Sequence, residues 1–308
     1  MMNAIFEAAG LQVFERGWLS SNNVLFDGAG RYETVLVDSG YCTHAPQTLA
    51  LVRQALGVES LDRIVNTHLH SDHCGGNHAL QQAFGCQIDV PLGEMDKVDR
   101  WDECSLTYRD TGQQCPRFER TGAIRGDDEI QLGAERWRAI AAPGHDPESI
   151  VLYQPELKLL ISADALWENG FGVVFPELEG MAAFDEVRST LNTLASLQVK
   201  WIIPGHGAPF QGLDGAVARA RRRLDGFISN PARHSRYAAK VLIKFHFLEC
   251  QRQTQEELIE WFGATRFMQL AHATHFASVN FRAWCLELVG ELAASRAIAM
   301  ADGSITNI

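Results

Sequence analysis

The sequence has no run of the roughly 18 consecutive apolar residues that a membrane-spanning helix requires. Its opening, Met1-Met2-Asn3-Ala4-Ile5-Phe6-Glu7, lacks the basic stretch followed by an apolar stretch that marks a secretory leader. Neither a membrane protein nor a secreted precursor is expected. The seven cysteines, at 42, 74, 86, 104, 115, 250 and 285, include no Cys-x-x-Cys pair. That argues against a zinc ribbon and against a dense disulfide framework, and makes a reducing cytoplasm the expected compartment. Positive charge is also scarce, with 27 Lys and Arg against 38 Asp and Glu. The deficit lies in residues 1–215, where 15 basic side chains face 30 acidic ones, whereas residues 216–308 carry 12 against 8. An acidic surface repels polyanions or hosts cations, so a nucleic-acid partner is not expected and a small-molecule substrate is. The densest basic run, Arg221-Arg222-Arg223, reads as a solvated helix face.

What the chain does have is enough apolar sequence, 46% of 308 residues, to build a large core, as one big domain with an appendage or as two domains. Short β-type runs at Leu11 to Phe14, Asn23 to Phe26 and Thr34 to Val37 are bounded by turn residues. A helix over Pro46 to Leu56, a strand at Ile64 to Thr67, a helix over Asn77 to Phe84 and a strand at Gln87 to Val90 follow, which is an α/β rhythm. The rhythm recurs through Trp137 to Ala141, Ser149 to Tyr153, Leu159 to Ser162, the helical stretch Phe184 to Leu197, and Trp201 to Ile203. Two such halves placed face to face predict a four-layer sandwich with both sheets buried. Beyond Asn230-Pro231 the strand pattern stops, and three short helices are expected: one burying Val241, Leu242, Phe245 and Leu248, one opened by the capping box Thr254 to Glu257, and one with Phe276, Val279, Ala283 and Leu286 on a face. The predicted division is therefore a catalytic domain over residues 1–215 and a small helical domain over 216–308.

The chemistry is concentrated in Thr67-His68-Leu69-His70-Ser71-Asp72-His73-Cys74-Gly75-Gly76, which follows a strand and so lies where ligands can converge without breaking a sheet. Three histidines and an aspartate in six residues need compensation if buried, and a metal ion supplies it. Three more ligand-type residues occupy the same topological position: His145 after the Trp137 strand, Asp164 after the Leu159 strand, and His206 after the Trp201 strand. Neutral imidazoles and carboxylates suit zinc, iron or manganese, and a mixed set without paired cysteines favours a catalytic site. His44, His78, His234 and His246 stand alone and read as surface or satisfied core residues; Cys74 reads as packing. His272 and His275 are spaced to share a helical face without a third ligand nearby. Met95 to Phe118 reads as a long polar loop and, with Trp167 to Pro176, is a lid candidate.

The pattern His68-x-His70-x-Asp72-His73, His145, Asp164, His206 resembles that of the metallo-β-lactamase-fold hydrolases, over about residues 10 to 210. The resemblance implies an αββα sandwich and two divalent metal ions, most often Zn2+. It implies that His68, His70 and His145 hold one ion, that Asp72, His73 and His206 hold the other, and that Asp164 bridges them. The implied activity is attack of a bridging hydroxide on a small ester, thioester or lactone, with Asp72 orienting the nucleophile and handling its proton. The C-terminal segment resembles the winged-helix-like appendage of one branch. Members with glyoxalase II activity often read Gly-His-Thr-Pro-Gly-Ser at the third ligand, whereas this chain reads Gly144-His145-Asp146-Pro147-Glu148-Ser149. Two other readings share the motif: a mononuclear-iron oxygenase of the persulfide dioxygenase kind, and a metal-containing nucleic-acid-binding or nuclease protein. Oligomeric state leaves no trace in the sequence.

Overall fold

The computed structural model describes residues 2–301 and 303–308, with side chains from Ile5 onward. After a short helix α1 (Met2–Ala8), the first half builds a six-stranded sheet in the order β1 (Leu11–Phe14), β2 (Asn23–Phe26), β3 (Val35–Val37), β4 (Arg63–Val65), β5 (Gln87–Pro91), β6 (Gly122–Ile124). The first three strands form an antiparallel meander, and β3 to β6 run parallel. Parallel neighbours need crossovers, which are α2 (Ala45–Leu56), the single turn α3 (Ser71–Cys74) with α4 (Asn77–Phe84), and the pair α5 (Met95–Arg100) and α6 (Tyr108–Thr111). The Met95 to Phe118 segment is thus not a structureless loop. Its Trp101 ring packs on those of Tyr108 and Phe118 and ties the two short helices together.

The second half builds a five-stranded sheet in the order β11 (Trp201–Pro204), β10 (Leu159–Ala163), β9 (Ile150–Gln154), β8 (Glu135–Ala141), β7 (Glu129–Leu132). Only β10 and β11 are parallel, joined through α7 (Phe175–Leu178) and α8 (Ala183–Ala195). The two-residue period of a strand sorts side chains between layers. Val24, Phe26, Val35 and Val37 enter one core with Ile150, Leu152, Leu159, Ile161 and Ile203 of the other sheet. Their neighbours Leu25 and Leu36 face outward onto Val52 and Leu80 of α2 and α4. Val151, Leu160 and Ile202 face outward onto Val187 and Leu191 of α8. Because both faces are buried, these strands are continuous apolar runs without polar alternation, which is why they were readable. The result is the four-layer αββα sandwich.

Helix α9 (Leu213–Ser229) buries Ala216, Val217, Ala220, Leu224 and Phe227 in that same outer layer beside α8. A boundary at residue 215 would cut it in its first turn; by packing we place the division at Asn230-Pro231, where Asn230 caps the next helix through the Arg233 N–H. The Arg221 to Arg223 run is partly absorbed there: the Arg223 guanidinium lies 4.3 Å from the Tyr237 ring centroid and Arg221 bonds Asn192.

The C-terminal region departs from the all-helical expectation. It contains α10 (Pro231–Cys250), α11 (Gln255–Ala264), α12 (Arg266–His275) and α13 (Phe281–Ala294), and a three-stranded antiparallel sheet ordered β12 (Arg252–Thr254), β14 (Ser304–Asn307), β13 (Ile298–Ala301). The strands escaped notice because each is three or four residues long and contributes at most one apolar anchor, Ile298 or Ile305, to the core. The capping box is formed as read: Thr254 Oγ1 accepts from Glu257 N and the Glu257 carboxylate accepts from Thr254 N at 2.8 Å. The third helix starts later than its hydrophobic spacing suggested, at Phe281, with Asn280 as cap, which leaves Val279 exposed in the preceding turn. Among the described residues no helix is long and apolar enough to cross a membrane.

Two substitutions distinguish local from global stability. Thr254→Ala removes one cap and is expected to cost about 1 kcal/mol, seen as faster amide exchange in α11. Ile161→Ala opens the slab between the sheets and is expected to cost about 2–5 kcal/mol in denaturant unfolding.

Candidate metal centre

Every motif residue stands just beyond the end of a strand at one edge of the sandwich. The segment after β4 delivers His68 and His70, and its continuation into α3 turns Asp72 and His73 to the same side. The turn after β8 delivers His145, β10 delivers Asp164, and β11 delivers His206. At β10 the register against β11 shifts between Ile161 and Ala163, and Ala163 takes φ +44°, a conformation non-glycine residues seldom adopt. That bulge re-aims Asp164. Two glycines allow the close approach: a Cβ on Gly205 would lie 2.1 Å from Asp164 Oδ1, and one on Gly172 would lie 2.4 Å from His145 Nδ1.

The seven side chains converge. Three sets of ligand atoms lie within 4.8 Å of one another: His68, His70 and His145; His68, His73 and Asp164; Asp72, His73 and His206. His70 Nδ1 is 2.7 Å from His145 Nε2, and Asp72 Oδ2 is 3.0 Å from His206 Nε2. Asp164 sits centrally, its carboxylate oxygens 3.4 Å from His73 Nε2, 3.5 Å from His145 Nε2 and 3.9 Å from His206 Nε2.

Most of these rings are fixed through their outer nitrogen. His68 Nδ1 lies 3.1 Å from Thr67 Oγ1, His73 Nδ1 2.8 Å from Asp38 Oδ2, and His145 Nδ1 2.5 Å from the Val173 carbonyl oxygen. His70 Nε2 faces the Asp146 carboxylate at a longer 3.9 Å. Their inner nitrogens point at one another, and among the described residues His68 Nε2 and His73 Nε2 are buried without a hydrogen-bond partner. Leaving such groups unpaired costs about 1–3 kcal/mol each. A divalent cation is the partner that a set of inward lone pairs fits, and outward bonds to carboxylates and carbonyls are what fix the tautomer of a ligating histidine. The nitrogen and oxygen donor set suits zinc, iron or manganese.

The electrostatics agree. Burial pushes His70 and His145 down to about 4, with neighbouring imidazoles adding to the effect, and burial likewise holds His68 well below its ordinary value. These three are neutral at pH 7 and keep their lone pairs. His73 is the exception: burial opposes its charge, yet Asp38, Asp164 and Asp72 together raise it. Burial opposes ionisation of Asp164 as well, but His206 and His73 outweigh it and hold the carboxyl well below its usual range.

A cavity of about 330 Å³ opens over the cluster. Trp167, Gly172, Val173 and Phe175 from the Trp167 to Pro176 segment line it, as do Thr111 and Gln113 from the other lid candidate. Trp167 also donates its indole N–H to Asp164 Oδ1 at 3.1 Å. The sequence reading missed two residues. Asp38 is buried, has φ +56°, and accepts from Thr67 N, Thr67 Oγ1 and His73 Nδ1; its only signal was an Asp directly after the β3 run. Trp18, stacked 5.2 Å from His206, sits in an irregular segment with no pattern to mark it. The solitary histidines have partners away from the centre: His44 with Ser20, His78 with the Arg117 carbonyl, His234 with the Val174 N–H, His246 with Gln253. His272 bonds the Val279 carbonyl, and His275 is exposed. Cys74 is buried with its Sγ 3.7 Å from that of Cys115, and there is no disulfide among the described residues.

Comparison with known proteins points the same way. Among solved structures, a metallo-beta-lactamase family protein from Thermus thermophilus superposes with a TM-score of 0.56 at 20% identity, over 97% of this chain and 99% of that one. A beta-lactamase domain protein from Burkholderia ambifaria gives 0.59 at 19% identity, over 96% and 91%. Likeness at that identity speaks for the fold, here including the C-terminal region. Among curated relatives, a hydroxyacylglutathione hydrolase of Brucella anthropi is 30% identical over 58% of this chain and 57% of its own length. One of Brucella ovis is 32% identical over 54% and 52%. The match thus spans little more than half the length of these relatives. Residues 16–206 match the Metallo-beta-lactamase superfamily, and with that match covering more than half of its length, the chain belongs to this family.

Proposed function

We propose that the protein is a dinuclear metal-dependent hydrolase of small thioesters, with esters and lactones as chemically related substrates. The observation that carries this reading is the convergence of inward imidazole nitrogens, two of them buried without a partner, with two carboxylates at the floor of a cavity. In the proposed assignment His68, His70 and His145 hold one ion, Asp72, His73 and His206 hold the second, and Asp164 bridges; zinc is the proposed metal. Bound there, a pair of divalent cations supplies water of lowered pKa and an electrophilic pole for the substrate carbonyl.

The protein's own groups do the rest. Asp72 reaches the cavity through a carboxylate held by His206, so it can accept the proton of the attacking water and return it to the departing sulfur or oxygen. Asp164, anchored by Trp167, keeps the two halves of the cluster in register. Asp38 acts through His73, holding its ring by Nδ1. Trp18 and Trp167, edge to face at 5.3 Å, narrow the approach of bulk water. The thioester preference draws on the relatives named hydroxyacylglutathione hydrolase.

Asp164→Ala is expected to lower metal-replete turnover at least about 100-fold while leaving the circular dichroism spectrum unchanged; unaltered turnover would falsify the bridging role. Asp38→Asn should weaken metal affinity about 10- to 100-fold, as removal of an orienting partner does, measured by competition with a chromophoric chelator. Stripping metal should remove about 3 kcal/mol of stability relative to protein in metal 100-fold above Kd, read as a lower melting temperature. Elemental analysis of protein purified without added metal tests stoichiometry, and one iron per chain with oxygen uptake would replace the hydrolase by an oxygenase.

A further inference from the structure

The cavity has two chemically opposite sides. Its floor is the ligand cluster. Its opposite wall is one face of α10, from which Tyr237, Val241, Leu242, Phe245 and Leu248 look across at the centre. Val173 and Phe175 continue this apolar surface down to the floor, where the Phe175 ring lies 5.5 Å from that of His70. A hydroxyacylglutathione carries two carboxylates and an ammonium on its tripeptide, and anions of that kind are held most strongly by cationic partners. Among the described residues lining the cavity, Lys244 is the sole lysine or arginine, and its three donors are already engaged: Nζ bonds Ala297 O at 2.7 Å, Asn307 Oδ1 at 2.5 Å and Ile308 O at 3.1 Å. Only its aliphatic stem is left to the cavity. The volume of about 330 Å³ lies at the small end of ligand sites. It suits one ring or a short branched chain and not an extended tripeptide.

We infer that the α10 wall selects substrates whose acyl group is uncharged and apolar, an aromatic or branched hydrocarbon seated against Val241, Leu242 and Phe245, and that glutathione conjugates are poor substrates. This rests on the hydrolase reading above and narrows it. In the reaction water adds to the acyl carbon, the C–O bond forms, the C–S bond breaks, and the two products are a carboxylic acid and a free thiol, with no oxidant or second substrate consumed. Burial of the hydrocarbon supplies the affinity, while the thiol portion leaves through the open side past Trp18, whose side chain is largely solvent-exposed.

The test has a binding arm and a turnover arm. In the first, metal-free protein is titrated with 4-phenylbutyramide and with 4-methylpentanamide, neutral and not hydrolysed, following the change in total tryptophan fluorescence, to which Trp18 and Trp167 of the cavity contribute. Saturable binding is expected, weakened about tenfold or more in Val241→Asp. Val241 is only half-buried, so that variant should fold; its far-UV spectrum and melting temperature are checked alongside, and Leu248→Asp serves if it does not. In the second arm, metal-loaded protein is given S-phenylacetyl-N-acetylcysteamine and S-lactoylglutathione. The phenylacetyl thioester is expected to have the higher kcat/KM by about 100-fold, and Val241→Asp to raise its KM with little change in kcat. Preference for the glutathione thioester, or amide binding indifferent to Val241→Asp and Leu248→Asp, overturns the inference. If neither thioester is turned over but the amides bind and the wall variants weaken them, the hydrolase reading falls and the apolar selectivity of the pocket stands.

Discussion

The structure is organised around a single unfavourable demand: several imidazole nitrogens must be held inward and close together, two of them, His68 Nε2 and His73 Nε2, buried without a hydrogen-bond partner. Each would gain a hydrogen bond by turning outward, and the fold prevents that by occupying the outer nitrogen of most of the rings with a hydroxyl, a carboxylate or a carbonyl. The strands end at one edge of the two sheets, so short turns bring residues separated by more than a hundred positions into reach. The apolar slab between the sheets, with Phe26 edge to face on Trp137, fixes those ends relative to one another. A bound cation meets the demand by supplying the missing partner for the inner nitrogens.

The strain of this convergence is visible in the backbone. Ala163 and Asp38 both take positive φ, and Gly205 and Gly172 stand where any side chain would collide with a ligand. These positions cluster at the centre and are locally poor choices that make sense only through what they bring near. The same tightness extends outward, because Phe175 contacts the ligand rings on one side and Phe267 of the C-terminal core on the other.

How much of this was legible depended on whether a residue's signal was local. Strands buried on both faces are unbroken apolar runs, so β2, β3, β9, β10 and β11 could be read within a residue or two. The candidate metal-site residues stood out because His68, His145, Asp164 and His206 each lie within four residues after such a run. Asp38 follows β3 in the same manner, but a single Asp after a strand is also what an ordinary turn looks like, and its role exists only through the ring of His73 thirty-five positions away. Trp18 has no periodic context at all. The strands Ile298–Ala301 and Ser304–Asn307 are specified by pairing with each other and with β12, a non-local interaction their composition does not announce. The extent of α9 was likewise decided by packing against α8, which sequence periodicity does not report.

Helix α10 serves two masters. Ala239, Ile243 and Phe247 belong to the C-terminal core, while Val241 and Leu248 of the same rod border the chemistry. A small rotation of that rod would reshape the chamber without displacing a single ligand. Selection can therefore retune the shape of this chamber by working on a helix of the C-terminal region, leaving the histidines and aspartates on its floor untouched.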